Sequence, residues 1–580
     1  MRFIKKCDPA WLVVFAIVII KSYFVLVTIY HLSPATLQTL RFDFYILAPA
    51  IFLLSFSLLL KKKAQYIYLL IADVFVSALF FADLLYCRAY GHLLTIYMIL
   101  STANVIGGLD QSAVFLLKAT DFLLFLDLPL VAFLLIKKMK SPPVKERLFL
   151  FKAAVFLVAA ASSLVAMGMQ FNRFQEAFYS CNVDEYPRYM SPLGDFMYNI
   201  YNYGVEKAYT LNDEDRAFID NWFEDNQKYM AADPQYENLR GLLEGKNIIV
   251  IQVESLENFV IDASFEGQEI TPNLNALLDD SLYFSNIHEQ SRDGNSSDAE
   301  LLFNASLYPV KIGSAFVRYG TNPYQSLEKL VKNEGYTAVA IHGDVKTFWN
   351  RDVAYPNLGF DDYISEDHFD NKESTGLGIL DASLFTQSVK EIEGLKNPYL
   401  LFAITITSHV PFTIEAPDQT LTFKENNDDT KYLQSIHYTD RCIGDFIKEL
   451  DDKGLLKNTA VVIYGDHEGV HKYCASSLPD NQKRIPYIIY MPGLEGAKID
   501  KIGGQVDMLP TLAFLLGLDE NDYSKNFMGR NLFGGYDGTV ILSDGTILGN
   551  PDDAQHLKDA QEVADKLILG YKQWSMGKQA

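Results

Sequence analysis

The sequence predicts an N-terminal membrane domain of several α-helices, followed by an extracellular α/β domain with a mainly parallel sheet. Three observations support this fold class. Apolar runs long enough to cross a bilayer are confined to the first 170 residues. Lysine and arginine clusters fall on one side of those runs. After Gly245, short β-branched apolar runs alternate with helical segments.

The two parts of the chain also differ in charge. The first 170 residues carry 16 Lys and Arg against 8 Asp and Glu, whereas the whole chain of 580 residues has a net charge of −22, which leaves −30 for the rest. A surface this acidic should repel polyanions, so no nucleic acid partner is expected. An anionic substrate would need a local cation, which points to a metal.

Five apolar runs form the predicted membrane domain. They are Trp11–Tyr30, Phe44–Leu60, Tyr66–Tyr86, Phe115–Ile136 and Leu148–Met169. Basic clusters precede the first run, separate the second from the third, and separate the fourth from the fifth. The positive-inside rule therefore places the N-terminus in the cytoplasm and everything after Gln170 outside the cell membrane.

Several of these runs contain ionisable residues. They are Lys21, Asp73, Asp83, Lys118, Asp121 and Asp127. Such groups in lipid are often functional, but they also occur near span ends or paired between helices, which is the interpretation we favour.

The predicted organisation is a five-helix transmembrane domain over residues 1–170, a helical connector over 171–245, and an extracellular catalytic domain over 246–580. The connector contains "NDEDRAFIDNWFEDNQKYM", in which Phe218, Ile219, Trp222 and Phe223 recur at helical spacing. The pattern leaves open whether this helix lies on the bilayer or packs on the globular part.

The α/β prediction rests on short apolar runs typical of strands that are buried on both faces. These runs are "NIIVIQVE", "YTAVAIHG", "YLLFAITIT", "TAVVIYGD" and "IPYIIYMPG". Helical segments such as "NPYQSLEKLVKNEG" and "YLQSIHYTDRCIGDFIKELDDKG" lie between them. Sheets of this kind bind ligands at the carboxyl ends of their strands.

Acidic and imidazole side chains follow four of these predicted strands. They are Glu254, then His342 and Asp344, then His409, then Asp466 and His467. Each alone is most often a helix cap or a hydrogen-bonded loop residue. Together they indicate a site at one sheet edge. Oxygen and nitrogen ligands from Glu254, Asp466 and His467 suit manganese or zinc, and three protein ligands leave a position open for a nucleophile and substrate.

The stretch "DGNSSDAELLF" contains two adjacent serines at the start of a predicted helix. Ser297 and Glu300 match the S-x-x-E capping box, which gives Ser297 a structural role. Ser296 then lies just ahead of the helix, where amides and the helix dipole favour negative charge, so it is the candidate nucleophile. An ordinary polar loop is the alternative for Ser296.

The stretch "HGDVKTFWNRD" contains residues that could bind a phosphorylated substrate. The Arg351 guanidinium can donate two hydrogen bonds to a phosphate group, and the Trp349 ring can line the pocket of a small polar head group. A loop with a surface arginine and a half-buried tryptophan is the alternative.

The chain resembles the lipoteichoic acid synthases, membrane-bound glycerophosphotransferases of the alkaline phosphatase and sulfatase superfamily. The motifs "QVESLENF", "GNSSDAE", "HGDVKTFWNRD", "TSHVPF" and "YGDHEG" occur in the family's order over nearly the whole chain. The resemblance implies an alkaline phosphatase/sulfatase-like extracellular domain. It also implies one manganese ion, with zinc or magnesium as alternatives, bound by Glu254, Ser296, Asp466 and His467.

The same resemblance implies roles for the remaining site residues. Ser296 is the expected nucleophile, and the expected lining of the glycerophosphate pocket is His342, Asp344, Trp349, Arg351 and His409. The family's nucleophile is typically threonine, and the residue after the metal-binding histidine is usually aromatic, whereas this chain has Ser296 and Glu468. The sulfatase pattern C-x-P-x-R is absent at the nucleophile, which argues against sulfate esters.

The predicted reaction is transfer of glycerol phosphate from phosphatidylglycerol to a glycolipid anchor or a growing polyglycerophosphate chain. It proceeds through a covalent Ser296 intermediate and releases diacylglycerol, with His409 as the acid and base. Two enzyme alternatives stay open: transfer of another phospholipid head group, such as phosphoethanolamine, and priming of the anchor. A non-catalytic membrane sensor is the third alternative.

Overall fold

The computed structural model of the chain describes residues 8–30, 44–90, 93–100, 117–140, 152–165, 191–374 and 378–579. The chain separates into a helical unit that reaches Lys207 and an α/β unit that begins at Ala208. This division falls inside the segment that the sequence analysis treats as a connector.

The helical unit contains three described segments that are long and apolar enough to cross a bilayer. They are Pro9–Ile29, Lys62–Arg88 and Ala119–Met139. Two further apolar helices, Ile46–Leu59 and Lys152–Val165, are shorter. Other α-helices of this unit, or the α-helical parts of these segments, have the bounds Pro9–Tyr30, Phe44–Ser55, Lys62–Tyr90, Leu128–Met139 and Pro192–Lys207.

The second and fourth predicted runs are less regular than expected. Pro49 lies inside the second helix, which ends in a 3-10 turn over Phe56–Leu59. The fourth run is a 3-10 helix over Ala119–Phe125 followed by an α-helix with Pro129 in its first turn, where proline is tolerated. Parts of the fourth and fifth predicted runs lie outside the described residues.

Five ionisable residues of the apolar helices form ion pairs, whereas Asp83 accepts only a backbone hydrogen bond within the described part of the chain, from the Leu94 N–H. The Lys21 ammonium lies 2.7 Å from Asp73 Oδ1 and 2.9 Å from Asp127 Oδ2. The Arg88 guanidinium donates to both oxygens of Asp121, at 2.6 and 2.7 Å. These pairs join helices that are distant in the sequence, as we expect of charges that are removed from water.

The first helix of the α/β unit, Asp213–Asn226, packs on the globular part. Its apolar side is buried, and the Trp222 ring stacks on His556 with 4.6 Å between ring centroids. Phe223 contacts Trp574, 5.9 Å away, in the C-terminal helix Ala554–Gln579. Of the two positions that the sequence pattern leaves open, on the bilayer or on the globular part, the helix takes the second.

The strands of the α/β unit are β1 Asn247–Val253, β2 Ser264–Phe265, β3 Gln268–Glu269, β4 Ser281–His288, β5 Thr337–His342, β6 Asp362–Ile364, β7 Tyr399–Ile404, β8 Thr459–Gly465, β9 Arg484–Tyr490, β10 Ala497–Ile499, β11 Gly503–Gly504, β12 Thr539–Ile541 and β13 Ile547–Gly549.

A nine-stranded sheet forms the centre of the α/β unit, in the order β10-β4-β9-β8-β1-β7-β5-β6, with β11 paired to β4. All pairs are parallel except β4 with β9 and β8 with β9, so the predicted mainly parallel sheet is confirmed. Two short hairpins, β2-β3 and β12-β13, lie outside it.

Helices cover both faces of this sheet. In β1, Ile248 and Val250 belong to one buried cluster, whereas Ile249 and Ile251 belong to the other. Alternate side chains of a strand point to opposite faces, so a strand that is apolar throughout is buried on both sides. The α-helices are Asp213–Asn226, Pro272–Leu277, Ser296–Ala305, Ala315–Tyr319, Leu327–Asn333, Arg351–Leu358, Asp381–Gly394, Asp428–Asp452, Val470–Tyr473, Met508–Leu515, Glu520–Tyr523 and Ala554–Gln579.

Candidate active site

The sheet register brings Glu254 and Asp466 together. Strands β1 and β8 are parallel neighbours, and Val253 lies opposite Gly465 at their carboxyl ends. The next residue of each strand is a carboxylate, and His467 follows Asp466. One potential ligand atom from each of Glu254, Asp466 and His467 lies within 4.8 Å of the others. The Nε2 atom of His467 is 3.5 Å from Glu254 Oε1 and 3.4 Å from Asp466 Oδ2.

Hydrogen bonds orient Asp466 and His467 and leave one potential ligand atom of each without a hydrogen bond. Asp466 Oδ1 accepts from the backbone N–H groups of Ser255 and His467, both at 2.7 Å. His467 Nδ1 lies 2.8 Å from the Glu468 carbonyl, and this contact requires the proton on Nδ1 and a lone pair on Nε2. Asp466 Oδ2 and His467 Nε2 are buried without a hydrogen-bond partner among the described residues.

This arrangement fits a divalent cation. Glu254, Asp466 and His467 are all buried. Burial, together with the adjacent charge of Glu254, raises the pKa of Asp466 to about 7, and burial also raises the pKa of Glu254. Burial lowers the pKa of His467, which favours the neutral ring that binds metals. Two buried carboxylates and an unpaired imidazole nitrogen are costly alone, and a cation would compensate them.

Ser296 lies beside this cluster as the first residue of the helix Ser296–Ala305. Its hydroxyl is 3.2 Å from Glu254 Oε2, within donating distance. Asn295 precedes the helix with φ of 42°, and its side chain makes no capping bond. The backbone N–H groups of Ser297, Asp298 and Ala299 donate to the Gly294 and Asn295 carbonyls, so backbone bonds hold the turn that carries the candidate nucleophile.

The predicted capping box is wrong. Because the helix begins at Ser296, Asp298 occupies the third helical position, and its carboxylate accepts from the backbone N–H groups of Arg292 and Gly294, at 3.0 and 2.9 Å. Ser297 is still structural, since its hydroxyl lies 2.7 Å from the Gly294 carbonyl and donates to it. Glu300 is too far along the helix to cap it and binds Arg351 instead.

The other site candidates follow the neighbouring strands β5 and β7. His342 pairs in register with Ile404 and lies 2.9 Å from its carbonyl through Nδ1. Burial raises the pKa of Asp344 to about 7, and the charge of Arg351 lowers it in part. His409 follows β7, and its Nδ1 lies 2.7 Å from the Val410 carbonyl. Burial lowers the pKa of His409, and the Val410 contact and the charge of Asp466 offset this shift only in part.

Trp349 and Arg351 are 3% and 1% exposed, so they are more buried than the alternative of an ordinary surface loop predicts. Trp349 has φ of 54°, in the left-handed region that is unusual for a large side chain. Arg351 is paired through a buried ion pair and is not a surface arginine.

Sequence reasoning missed Lys472. Its ammonium lies 2.8 Å from Asn295 Oδ1, next to Ser296, and 3.5 Å from Glu289 Oε1. Burial raises the pKa of Glu254 and lowers that of His467; the charge of Lys472 partly offsets the first shift and adds to the second. No sequence spacing marks Lys472, because it reaches the site from the short helix Val470–Tyr473 after β8.

Comparisons with known proteins agree with these observations. The profile described as "Lipoteichoic acid synthase N-terminal domain" matches residues 1–209, and the profile described as "Sulfatase" matches residues 246–518. Lipoteichoic acid synthase 1 of Bacillus subtilis (strain 168) is 31% identical over 553 residues, covering 90% of this chain and 85% of that protein. Lipoteichoic acid synthase of Staphylococcus aureus (strain USA300) is 30% identical over 511 residues, covering 83% and 77%.

A solved structure supports the fold. The crystal structure of the lipoteichoic acid synthase LtaP from Listeria monocytogenes covers 62% of this chain and 98% of its own, with a TM-score of 0.54 and 23% identity. The expected sulfatase-like α/β fold is therefore confirmed. Identity of 31% to a curated synthase, over most of both chains, means that this protein belongs to the lipoteichoic acid synthase family.

Proposed function

We propose that this chain is a metal-dependent phosphoglycerol transferase. It moves glycerol phosphate from phosphatidylglycerol to a glycolipid anchor or a growing polyglycerophosphate chain. The observation that carries this proposal is the Ser296 hydroxyl 3.2 Å from Glu254, beside the unpartnered ligand atoms of Asp466 and His467. Membership of the lipoteichoic acid synthase family supports the substrate class.

The proposed cofactor is one manganese ion, held by Glu254, Asp466, His467 and the Ser296 oxygen. When bound, the cation supplies a lowered pKa for the serine hydroxyl and charge compensation for the phosphoryl group. The mixed oxygen and nitrogen donor set supports this assignment.

Residues of the chain itself then catalyse two successive substitutions at phosphorus. In the first, the Ser296 hydroxyl passes its proton to Glu254 Oε2, 3.2 Å away, Ser296 Oγ forms a bond to phosphorus, and the bond from phosphorus to the diacylglycerol oxygen breaks. His409, protonated on both ring nitrogens, gives that oxygen its Nε2 proton. In the second, an acceptor hydroxyl loses its proton to His409 Nε2 and bonds to phosphorus, while the bond from phosphorus to Ser296 Oγ breaks and Oγ takes back the proton from Glu254. The contact of His409 Nδ1 with the Val410 carbonyl leaves Nε2 for these transfers. His342, Asp344, Trp349 and Arg351 form the proposed head-group pocket.

The three long apolar helices indicate a membrane protein. We propose five spans within residues 1–170, a connector over 171–245 and a catalytic domain over 246–580 on the outer face. The charge pattern around the apolar runs supports this orientation, and a tether would keep lipid substrate and site together. Protease added to intact cells should remove the α/β unit, and full protection would contradict the orientation.

Mass spectrometry of the purified full chain tests the reaction. After incubation with manganese and phosphatidylglycerol, we expect a glycerophosphoryl group on Ser296 in the wild type and in Ser297→Ala, but not in Ser296→Ala. Released diacylglycerol should appear with phosphatidylglycerol and not with phosphatidylethanolamine. An adduct on Ser297, or undiminished turnover in Ser296→Ala, would contradict the assignment.

A further inference from the structure

Glu300 and Arg351 form a buried ion pair outside the candidate metal cluster. Their side chains are 0% and 1% exposed. The Nη2 atom of Arg351 lies 2.6 Å from Glu300 Oε1, and Nε lies 3.1 Å from Oε1 and 3.3 Å from Oε2. The Tyr355 hydroxyl donates to Glu300 Oε2 at 2.7 Å, so both carboxylate oxygens are engaged. These bonds fix the orientation of the guanidinium plane.

One side of this guanidinium is unused. Arg351 Nη1 is buried and has no hydrogen-bond partner among the described residues. A buried donor without an acceptor destabilises the folded chain, so its retention calls for an explanation, and binding of a ligand is one. The charge of Arg351 adds to the burial that lowers the pKa of His342 and offsets part of the burial that raises the pKa of Asp344, which is consistent with a guanidinium near the end of β5. A phosphoryl oxygen is the acceptor that arginine matches best.

The nucleophile and the partner of Arg351 share one helix. Ser296 and Glu300 are four residues apart in the helix Ser296–Ala305, so they lie on the same face, with Cβ atoms roughly 5–6 Å apart. The same rigid turn therefore sets both the position of the attacking oxygen and the position of the arginine.

We propose that Glu300 is a positioning residue that holds Arg351 at a fixed distance from Ser296, so that Arg351 Nη1 binds a non-reacting oxygen of the phosphoryl group under attack. This inference rests on the proposed function. Glu300 itself does not touch the substrate and acts through Arg351.

Glu300→Asp tests this inference in the full chain, because it keeps the negative charge and shortens the side chain by one methylene. Displacement of about 1 Å at a reacting centre costs about 100-fold in rate. We expect formation of the Ser296 adduct from phosphatidylglycerol to slow about 100-fold, with manganese affinity within twofold of wild type. Tyr355→Phe, which keeps both charges and removes one bond to Glu300, should slow it roughly 3- to 10-fold.

Glu328→Gln is the matched control, since Glu328 is also a fully buried glutamate and lies in a different helix, Leu327–Asn333. We expect it to form the adduct at the wild-type rate. A second control separates positioning from general damage. If Glu300 acts through Arg351, then Arg351→Lys combined with Glu300→Asp should be no slower than Arg351→Lys alone, because the two effects are not independent.

The outcomes distinguish this inference from the proposed function. Failure of the wild type to form any adduct would remove the proposed function. A wild type that forms the adduct, with Glu300→Asp and Tyr355→Phe equally fast, would remove only the role of Glu300. Multiplicative losses in the double variant, or a loss of manganese affinity in Glu300→Asp, would assign Glu300 a structural role instead.

Discussion

Replacing His471 with glutamine should destabilise the α/β unit at pH 6 and leave its stability at pH 10 unchanged. His471 Nδ1 lies 2.5 Å from Glu257 Oε2, and this carboxylate is fully buried. Glu257 also accepts from the Gly469 N–H at 3.0 Å, so the pair ties the loop after β8 to the loop after β1. The hydrogen bond to Glu257 raises the pKa of His471 to about 9.

The direction and the magnitude of the stability change follow from the raised pKa of His471. A rise from 6.5 to about 9 corresponds to about 3 kcal/mol. The His471 side chain is 18% exposed, so solvent screening reduces this to about 1–2 kcal/mol. A raised histidine pKa means that the stabilisation is complete below pH 6.5 and is lost as the pH rises through about 9. In a domain of this size, the loss in His471→Gln amounts to about 1–3 °C in melting temperature at pH 6.

Melting of the full chain in detergent, followed by tryptophan fluorescence with metal chelated, measures this difference. Three tryptophans of the α/β unit, Trp222, Trp349 and Trp574, report its unfolding. His437→Gln is the matched control, because the His437 ring faces the backbone carbonyl of Ile270 at 2.8 Å. A difference between wild type and His471→Gln that stays constant from pH 6 to 10, or grows with pH, would refute the reasoning.

Two further predictions concern the candidate metal site. Manganese at 100 times its dissociation constant should stabilise the wild type by about 2.7 kcal/mol and raise its melting temperature. Asp466→Asn should abolish this rise, because the substitution removes a charged ligand. An equal rise in both proteins would argue against Asp466 as a ligand. Lys472→Gln should tighten manganese binding several-fold, since it removes a like charge near the cation, and should raise the KM for the anionic lipid. Calorimetric titration and steady-state kinetics check both effects, and weaker manganese binding in Lys472→Gln would contradict the charge argument.

The sequence carries enough information to predict the sheet and its functional edge. The apolar runs of β1, β5, β7, β8 and β9 are continuous, so their length and β-branched composition mark them as buried strands. Residues after parallel strands necessarily meet at one edge, which is why the grouping of Glu254 with Asp466 and His467 could be predicted. The direction of β9 could not, because the apolar pattern of a buried strand is the same in parallel and antiparallel pairs.

Other features depend on contacts that no local pattern contains. Polar residues interrupt the run "SLYFSNIH", so β4 was not among the predicted strands, although the structure pairs it with β9 and β10. The S-x-x-E pattern predicted a cap at Ser297 because it is a local rule. The structure shows that Glu300 has a partner 51 residues away, and a buried arginine competes strongly for a carboxylate. Lys472 contacts Asn295, which lies 177 residues away in the sequence, so no local pattern predicts this contact either.

The ion pair between Lys21 and the two aspartates bears on the order in which the membrane unit assembles. Asp73 is synthesised 52 residues after Lys21, and Asp127 is synthesised 106 residues after it. A lone lysine at the middle of a helix costs about 2.5–3.5 kcal/mol on entering lipid. The first helix should therefore leave the insertion machinery late, together with its counter-charged neighbours. Crosslinking of nascent chains arrested before and after residue 127 would show whether release of this helix awaits its partners.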